Sequence, residues 1–326
     1  MNTYATNTDR YREAPHNPSE RGRKPRVIVL IRHGESESNK DKKVNEFTPN
    51  HLIPLTEKGW SQARHAGVEL LRILNLDNND IVENLEAKYP LPPHRHKGLT
   101  LKDYKPLNRR KDRNIVFYTS PYTRTRETLK GMLDVVDEYN LINSGVHVCE
   151  DHAYKPCGKQ KHSIWPCIPS GHYENNESTH CFVGGNKSEY LQYRVKDEPR
   201  IREQDFGNFQ EVSSMQDVMK KRATYGHFFF RFPQGESAAD VFDRVASFQE
   251  TLFRHFEDKH SRKPRDVIVL VTHGIYARVF LMKWFRWTYE EFESFTNVPN
   301  GSMMVMELDE TADRYKLRTV LPKWTE

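Results

Sequence analysis

The chain has 326 residues, 50 of them Lys or Arg and 45 Asp or Glu, for a formal net charge of +5. Its longest apolar runs are five residues, far short of the roughly 20 that span a bilayer. A mean hydropathy of −0.83 requires polar loops around the core. These figures exclude a membrane span and point to a soluble protein of one large domain or two ordinary ones.

Residues 1–25 are polar, rich in Arg, Pro, Asn and Ser, and lack the apolar stretch of a secretory signal. A disordered lead-in is expected there, followed by a single domain over residues 26–326, with cytoplasmic residence and access to the nucleus as the default. The densest basic patches, RGRKPR (Arg21–Arg26) and NRRKDR (Asn108–Arg113), read as solvated faces, so no nucleic-acid partner is expected. The mild positive bias suits an anionic small substrate.

Val27–Ile31 is an apolar run that ends abruptly in Arg32-His33-Gly34. LTEKGWSQARHAGVELLRIL follows, with Thr56 as the expected N-cap and Trp60, Ala63, Gly67, Leu70, Leu71 and Leu74 on one helical face. Residues 75–113 are rich in Asn, Pro, His and basic side chains and read as a loop insertion. Asn114–Leu129 then repeats the first pattern, an apolar strand running into Ser120-Pro121, a suitable N-cap and first helical residue.

Cys149, Cys157, Cys167 and Cys181 share a window with five histidines, but their irregular intervals lack Cys-x-x-Cys spacing. They read as reduced cysteines, and no metal or other cofactor is expected. Residues 155–187, poor in periodicity, read as a second insertion. Past it, ESAADVFDRVASFQETLFRHFE sets Val241, Val245, Phe248, Leu252 and Phe256 on one face. Asp266–Val271 leads through Thr272-His273-Gly274 into IYARVFLMKWF, and SMMVMEL with YKLRTVL reads as a hairpin. Continuous apolar strands alternating with amphipathic helices predict an α/β three-layer sandwich on a mostly parallel sheet, with two loop insertions.

Ligands of such sheets bind beyond the carboxyl ends of the strands, where helix N-termini offer N–H groups. Those ends deliver Arg32, His33 and Asn39, then Arg124, then His273 and Gly274. Two arginines and two histidines there make a pocket for a phosphoryl group, arginine being suited to bidentate contact with its oxygens. A neutral His33 could attack phosphorus, and the glycine after each histidine would let the backbone approach the phosphate. An acid must protonate the leaving oxygen. RIREQDFGNFQ (Arg200–Gln210) offers Glu203 and Asp205, and spacing does not choose between them. Asn39 could also simply cap a helix.

RHGESESN resembles the signature of the histidine phosphatase superfamily, the group built on the phosphoglycerate-mutase-like fold. LTEKGWSQA, SPYTRTRET, REQDFG, PQGES and THG resemble its further motifs, in the family's order. The resemblance runs over most of Arg26–Asp309 and is greatest to the compact branch, with fungal broad-range acid phosphatases and related plant proteins. It implies that His33 is the phosphorylated nucleophile and Glu203 the proton donor, with Asp205 in a supporting part. It further implies that Arg32, Arg124, His273 and Gly274 bind phosphate and that Asn39 helps orient it. Ser38 stands where cofactor-dependent mutases tend to have Trp.

The implied activity is hydrolysis of phosphomonoesters on a small molecule or phosphoprotein. Two alternatives stand beside it: a mutase that returns the phosphoryl group to its substrate, and a non-catalytic scaffold that keeps the fold alone.

Overall fold

The alternation inside VIVLIR (Val27–Arg32, β1) organises the molecule. Successive side chains of a strand point to opposite faces. Val27, Val29 and Ile31 accordingly enter one core cluster, and Ile28 and Leu30 another. The computed structural model describes residues 24–74, 76, 78–90, 101, 104–107, 112, 114–143, 190–207, 212–257 and 266–324.

After β1 come the one-turn helices α1 (Glu37–Lys40) and α2 (Val44–Phe47), then α3 (Glu57–Ile73) and α4 (Asn79–Lys88). β2 (Asn114–Thr119), α5 (Thr123–Asn143), β3 (Gln192–Asp197), α6 (Val212–Tyr225) and α7 (Ala238–Glu257) follow. The chain closes with β4 (Val267–Thr272), α8 (Gly274–Phe285), α9 (Tyr289–Ser294), β5 (Met303–Asp309) and β6 (Arg314–Leu317). The six strands form one sheet in the order β3-β2-β4-β1-β5-β6. β3, β2, β4 and β1 run parallel, whereas β5 and β6 are antiparallel additions.

Helices cover both faces, as the continuous apolar strands require. Ala66, Leu70, Met132 and Val136 of α3 and α5 close over one face, and Val245, Phe248, Val279 and Phe280 of α7 and α8 over the other. This is the expected three-layer α/β architecture. β1 and β4 lie at its centre in exact register to their ends, with Arg32 opposite Thr272.

Thr56 caps α3 as expected, its side chain accepting from the Gly59 N–H, and the five apolar positions of α7 are all buried. The hairpin forms, although β6 ends at Leu317.

Several expectations need correction. Ser120 does not cap α5, which begins at Thr123; its hydroxyl is engaged by His273. Trp60 is only half-buried, with Arg64 and Lys130 over its ring. The stretch 75–113 is not all loop: α4 lies in it and buries Val82 and Leu85 against α3 and α5. β3 and α6 were not anticipated, because QYRVKD is an edge strand with no fully buried residue and so carries little apolar signal. The expected lead-in over residues 1–23, the whole second insertion (155–187) and the four cysteines fall outside the described residues.

Candidate active site

Because β1, β2 and β4 are parallel neighbours, their carboxyl ends deliver Arg32-His33, Ser120 and Thr272-His273 to one edge of the sheet. The ladder extends past the strands, since His33 N–H donates to Thr272 O (3.0 Å) and Ser120 N–H to Val271 O (3.1 Å). The two histidines therefore meet with ring centroids 5.2 Å apart, edge to face, and Tyr122 stands 5.0 Å from His273. Four of the expected side chains are nearly dry: His33 is 3% exposed, His273 0%, Arg124 4% and Glu203 8%.

Two hydrogen bonds fix the tautomer of His33. Arg124 Nε, which can only donate, lies 3.2 Å from His33 Nε2. Nε2 is thus an acceptor, and the ring proton sits on Nδ1, which donates to its own Gly34 carbonyl (2.7 Å). Burial, then the charges of Arg124 and Arg32, push the imidazole well below the ordinary histidine range. The result is a neutral ring with its lone pair aimed into a cationic pocket.

At His273 a hydroxyl faces the corresponding ring nitrogen. Ser120 Oγ accepts from the Tyr122 N–H (3.4 Å) and lies 2.8 Å from His273 Nε2. The other ring nitrogen, Nδ1, is buried with no hydrogen-bond partner among the described residues, and it carries the ring hydrogen when the Ser120 hydroxyl donates to Nε2. It lies 4.0 Å from Glu203 Oε2. Burial, followed by Arg124, His33, Arg244 and Arg32, depresses the pKa of this imidazole as well.

The guanidinium groups are held by backbone carbonyls: Arg124 by Asn50 O and Arg32 by Val298 O, each at 2.6 Å. Burial lowers Arg124 to about 10 and also lowers Arg32, with Glu203 opposing both shifts. Arg32 Nε is buried without a hydrogen-bond partner among the described residues. His273 N-caps α8, so the amides of Gly274 and Ile275 begin a helix with no intrahelical acceptor.

The two candidate carboxylates face different surroundings. Glu203 turns into the pocket, with Oε1 accepting from the Gln204 N–H (3.0 Å). Asp205 turns outward and is exposed, accepting from the Gly207 N–H in its own turn (2.8 Å). Burial raises the pKa of Glu203, opposed by Arg124, the Gln204 amide, Arg32 and Arg244.

Asn39 Oδ1 accepts from the Ser36 N–H (3.1 Å), Ser36 Oγ (3.0 Å) and Asn300 Nδ2 (3.1 Å), bracing the loop after His33. Its carbonyl is thus committed to structure, and only the amide nitrogen is available to a ligand. The glycines also have another reason than the one expected. A Cβ on Gly34 would collide with the backbone of Gly59, and one on Gly274 would lie 2.7 Å from Asn297 Cγ. Protein, rather than ligand, fills the space each leaves.

Three contributors were not anticipated from sequence as parts of this site. Ser120 orients His273, Asn300 ties the carbonyls of His33 and Gly34 to Asn39, and Arg244 grips the segment carrying Glu203. Ser120 lies within SPYTRTRET, where Pro121 after it makes it read as a helix cap. Among the described residues no group of three or more His, Cys, Asp or Glu side chains could hold a metal ion, and no helix is long and apolar enough to cross a membrane.

The arrangement places a neutral imidazole, a buried carboxyl group whose pKa is raised by burial and several hydrogen-bond donors around one dry space. It can take an anionic group from an ester whose departing oxygen receives a proton. Comparison with known proteins agrees. The profile of the Histidine phosphatase superfamily (branch 1) matches residues 28–78 and 187–320. The chain is 71% identical over 306 residues to "Broad-range acid phosphatase DET1" of Saccharomyces cerevisiae, covering 93% of this chain and 91% of the yeast protein. It is 34% identical over 296 residues to "Phosphoglycerate mutase-like protein AT74" of Arabidopsis thaliana, covering 89% of this chain and 67% of the plant protein. Among solved structures, "Mycobacterial hydrolase 1" superposes with a TM-score of 0.50 at 15% identity, over 92% of this chain and 99% of that one. At that identity the likeness concerns the fold.

Proposed function

Since the chain belongs to the histidine phosphatase superfamily, we propose that it hydrolyses phosphomonoesters through a phosphohistidine on His33. The observation that carries this reading is the pair of bonds that leaves His33 Nε2 unprotonated beside a buried Glu203. Nε2 attacks phosphorus, the bond to the ester oxygen breaks, and Glu203 gives that oxygen its proton.

Arg32, Arg124, the Nδ1–H of His273 and the first amides of α8, Gly274 among them, receive the three equatorial oxygens. Arg124 Nε, now bonded to Nε2, is placed to swing to an oxygen as the N–P bond forms. Asn39 offers its amide at the edge of the same loop. Water then attacks phosphorus, the ionised Glu203 takes its proton, and the N–P bond breaks to restore the starting state and release inorganic phosphate.

The yeast relative, named as an acid phosphatase, supports water rather than a second hydroxyl as the acceptor. The substrate class is a phosphorylated small molecule or phosphoprotein. The test is a steady-state assay with a generic phosphomonoester. His33→Ala is expected to lose at least about three orders of magnitude in kcat, as when a covalent nucleophile is removed. Activity retained within tenfold would defeat the proposal.

A further inference from the structure

Glu203 stands in a loop with no helix or strand of its own, yet its carboxyl must be held to within about half an ångström for proton transfer. Two residues outside the pocket do this. Arg244, on α7, donates from Nη1 to Arg200 O (2.7 Å) and Arg202 O (2.8 Å), and from Nη2 to Glu203 O (3.1 Å). The same guanidinium forks onto Glu236, with Nε to Oε1 at 3.2 Å and Nη2 to Oε2 at 3.1 Å.

Glu236 reaches the loop from the other side. Its Oε2 accepts from the Asp205 N–H (3.0 Å), its Oε1 from Arg202 Nη2 (2.5 Å), and its carbonyl from Gln204 Nε2 (2.8 Å). Its own N–H donates to Asp205 O (2.8 Å). Gly235 lets the two segments touch: a Cβ there would lie 2.5 Å from Asp205 O and 2.7 Å from Gly207 N. On the sheet side, Thr272 Oγ1 donates to Ile201 O (2.7 Å), so the strand that carries His273 holds the same loop.

We infer that Arg244 and Glu236 form a clamp whose function is to position Glu203 as proton donor, acting through the loop backbone and never touching substrate. The inference rests on the reading of Glu203 as the acid. The pair grips the backbone before, at and after Glu203 and makes no hydrogen bond to its carboxyl group, the pattern expected of a support and not of a counter-ion. Both partners are mostly buried, with side chains 11% and 16% exposed, so the fork is shielded from competing water. Lys at position 244 would keep the charge but lose the five-donor fork that serves three carbonyls and a carboxylate at once.

A positioning role has a signature that loss of folding lacks. Protonation matters most when the departing alcohol is a poor leaving group and little when it is an activated phenol. The ratio of kcat/KM for an activated aryl phosphate to that for an alkyl phosphate is therefore the readout. Measured on one preparation, it is independent of the fraction folded.

Glu203→Gln sets the scale, and its ratio should rise by about 10²–10⁴-fold, the usual worth of general acid catalysis. Glu236→Gln, Arg244→Met and Arg244→Lys should each raise the ratio by at least about tenfold, a fraction of that scale. The Lys variant should leave the basic limb of the pH–rate profile in place, because the charge beside Glu203 is retained. If Glu203→Gln shifts the ratio and the three clamp variants do not, the clamp has no positioning role. If Glu203→Gln itself leaves the ratio unchanged, the assignment of the acid fails and the clamp inference falls with it.

Discussion

A histidine between two arginines is expected to stay unprotonated, and at position 33 that electrostatic pressure coincides with a hydrogen-bond pattern permitting only one tautomer. At position 273 the Ser120 hydroxyl, donating to Nε2, would leave the ring hydrogen on Nδ1, the same tautomer as at position 33. Ser120→Ala should free His273 to place its proton on Nε2, withdrawing the donor from the pocket. Inorganic phosphate should then inhibit about tenfold more weakly, which corresponds to about 1.4 kcal/mol, within the usual cost of a lost buried hydrogen bond; an unchanged inhibition constant would contradict the tautomer argument. The acid limb of the activity profile should lie below the ordinary histidine range, because His33 must be neutral and its pKa is depressed. The basic limb should lie above the ordinary carboxylate range, because Glu203 must be protonated and its pKa is raised. The same shift affects stability. A raised folded-state pKa means that burying Glu203 is harmless at acid pH and costs stability as pH rises through the titration. Glu203→Gln should therefore raise Tm relative to the parent at neutral pH and change it little at acid pH. Equal Tm differences at both pH values would show that Glu203 titrates normally.

At the scale of elements, the strands and long helices were legible because their periodicity reports burial directly. VIVLIR and VIVLVT lie at the centre of the sheet with helices on both faces, and the stripe on α7 is buried at every named position. What periodicity does not report is contact between distant segments. Gly34 and Gly59 press backbone to backbone, joining the loop after His33 to the first turn of α3, and neither glycine announces its partner. Gly59→Ala should push the Glu35 carbonyl aside and shift His33 with it. The expected cost is about 1–3 kcal/mol by denaturant titration, as for overpacking elsewhere, with a lower kcat per folded molecule. Full activity at unchanged stability would show that the contact is dispensable. The clamp was missed for the same reason. Glu236 and Arg244 stand eight positions apart across the start of α7, and only the folded chain shows that both meet the loop at 200–205.

At the scale of the whole molecule, the chemistry occupies the carboxyl edge of the sheet and a buried ion network the opposite edge. Arg26, just before β1, is fully buried, donating to Asp112, to Glu307 Oε1 (2.8 Å) and to Ile73 O (2.6 Å). Arg318 holds the other oxygen of Glu307. The residues involved come from both ends of the chain and from the segment before β2, a long-range closure that composition could not reveal. Asp112→Ala should cost about 3–5 kcal/mol, the usual result of removing one member of a buried ion network. It should leave kcat/KM per folded molecule unchanged, since seven residues of extended chain put His33 about 20 Å away; a changed kcat/KM would show that the two edges are coupled. The motifs were readable at the active edge because each is short and local, whereas the network is assembled from single residues. The most direct test of the account is to trap the covalent intermediate by rapid quenching during turnover of a radiolabelled phosphomonoester, then map the label. The account predicts acid-labile, base-stable phosphate on His33, absent from His33→Ala. Acid-stable phosphoserine, or label on His273 in the parent enzyme, would contradict it.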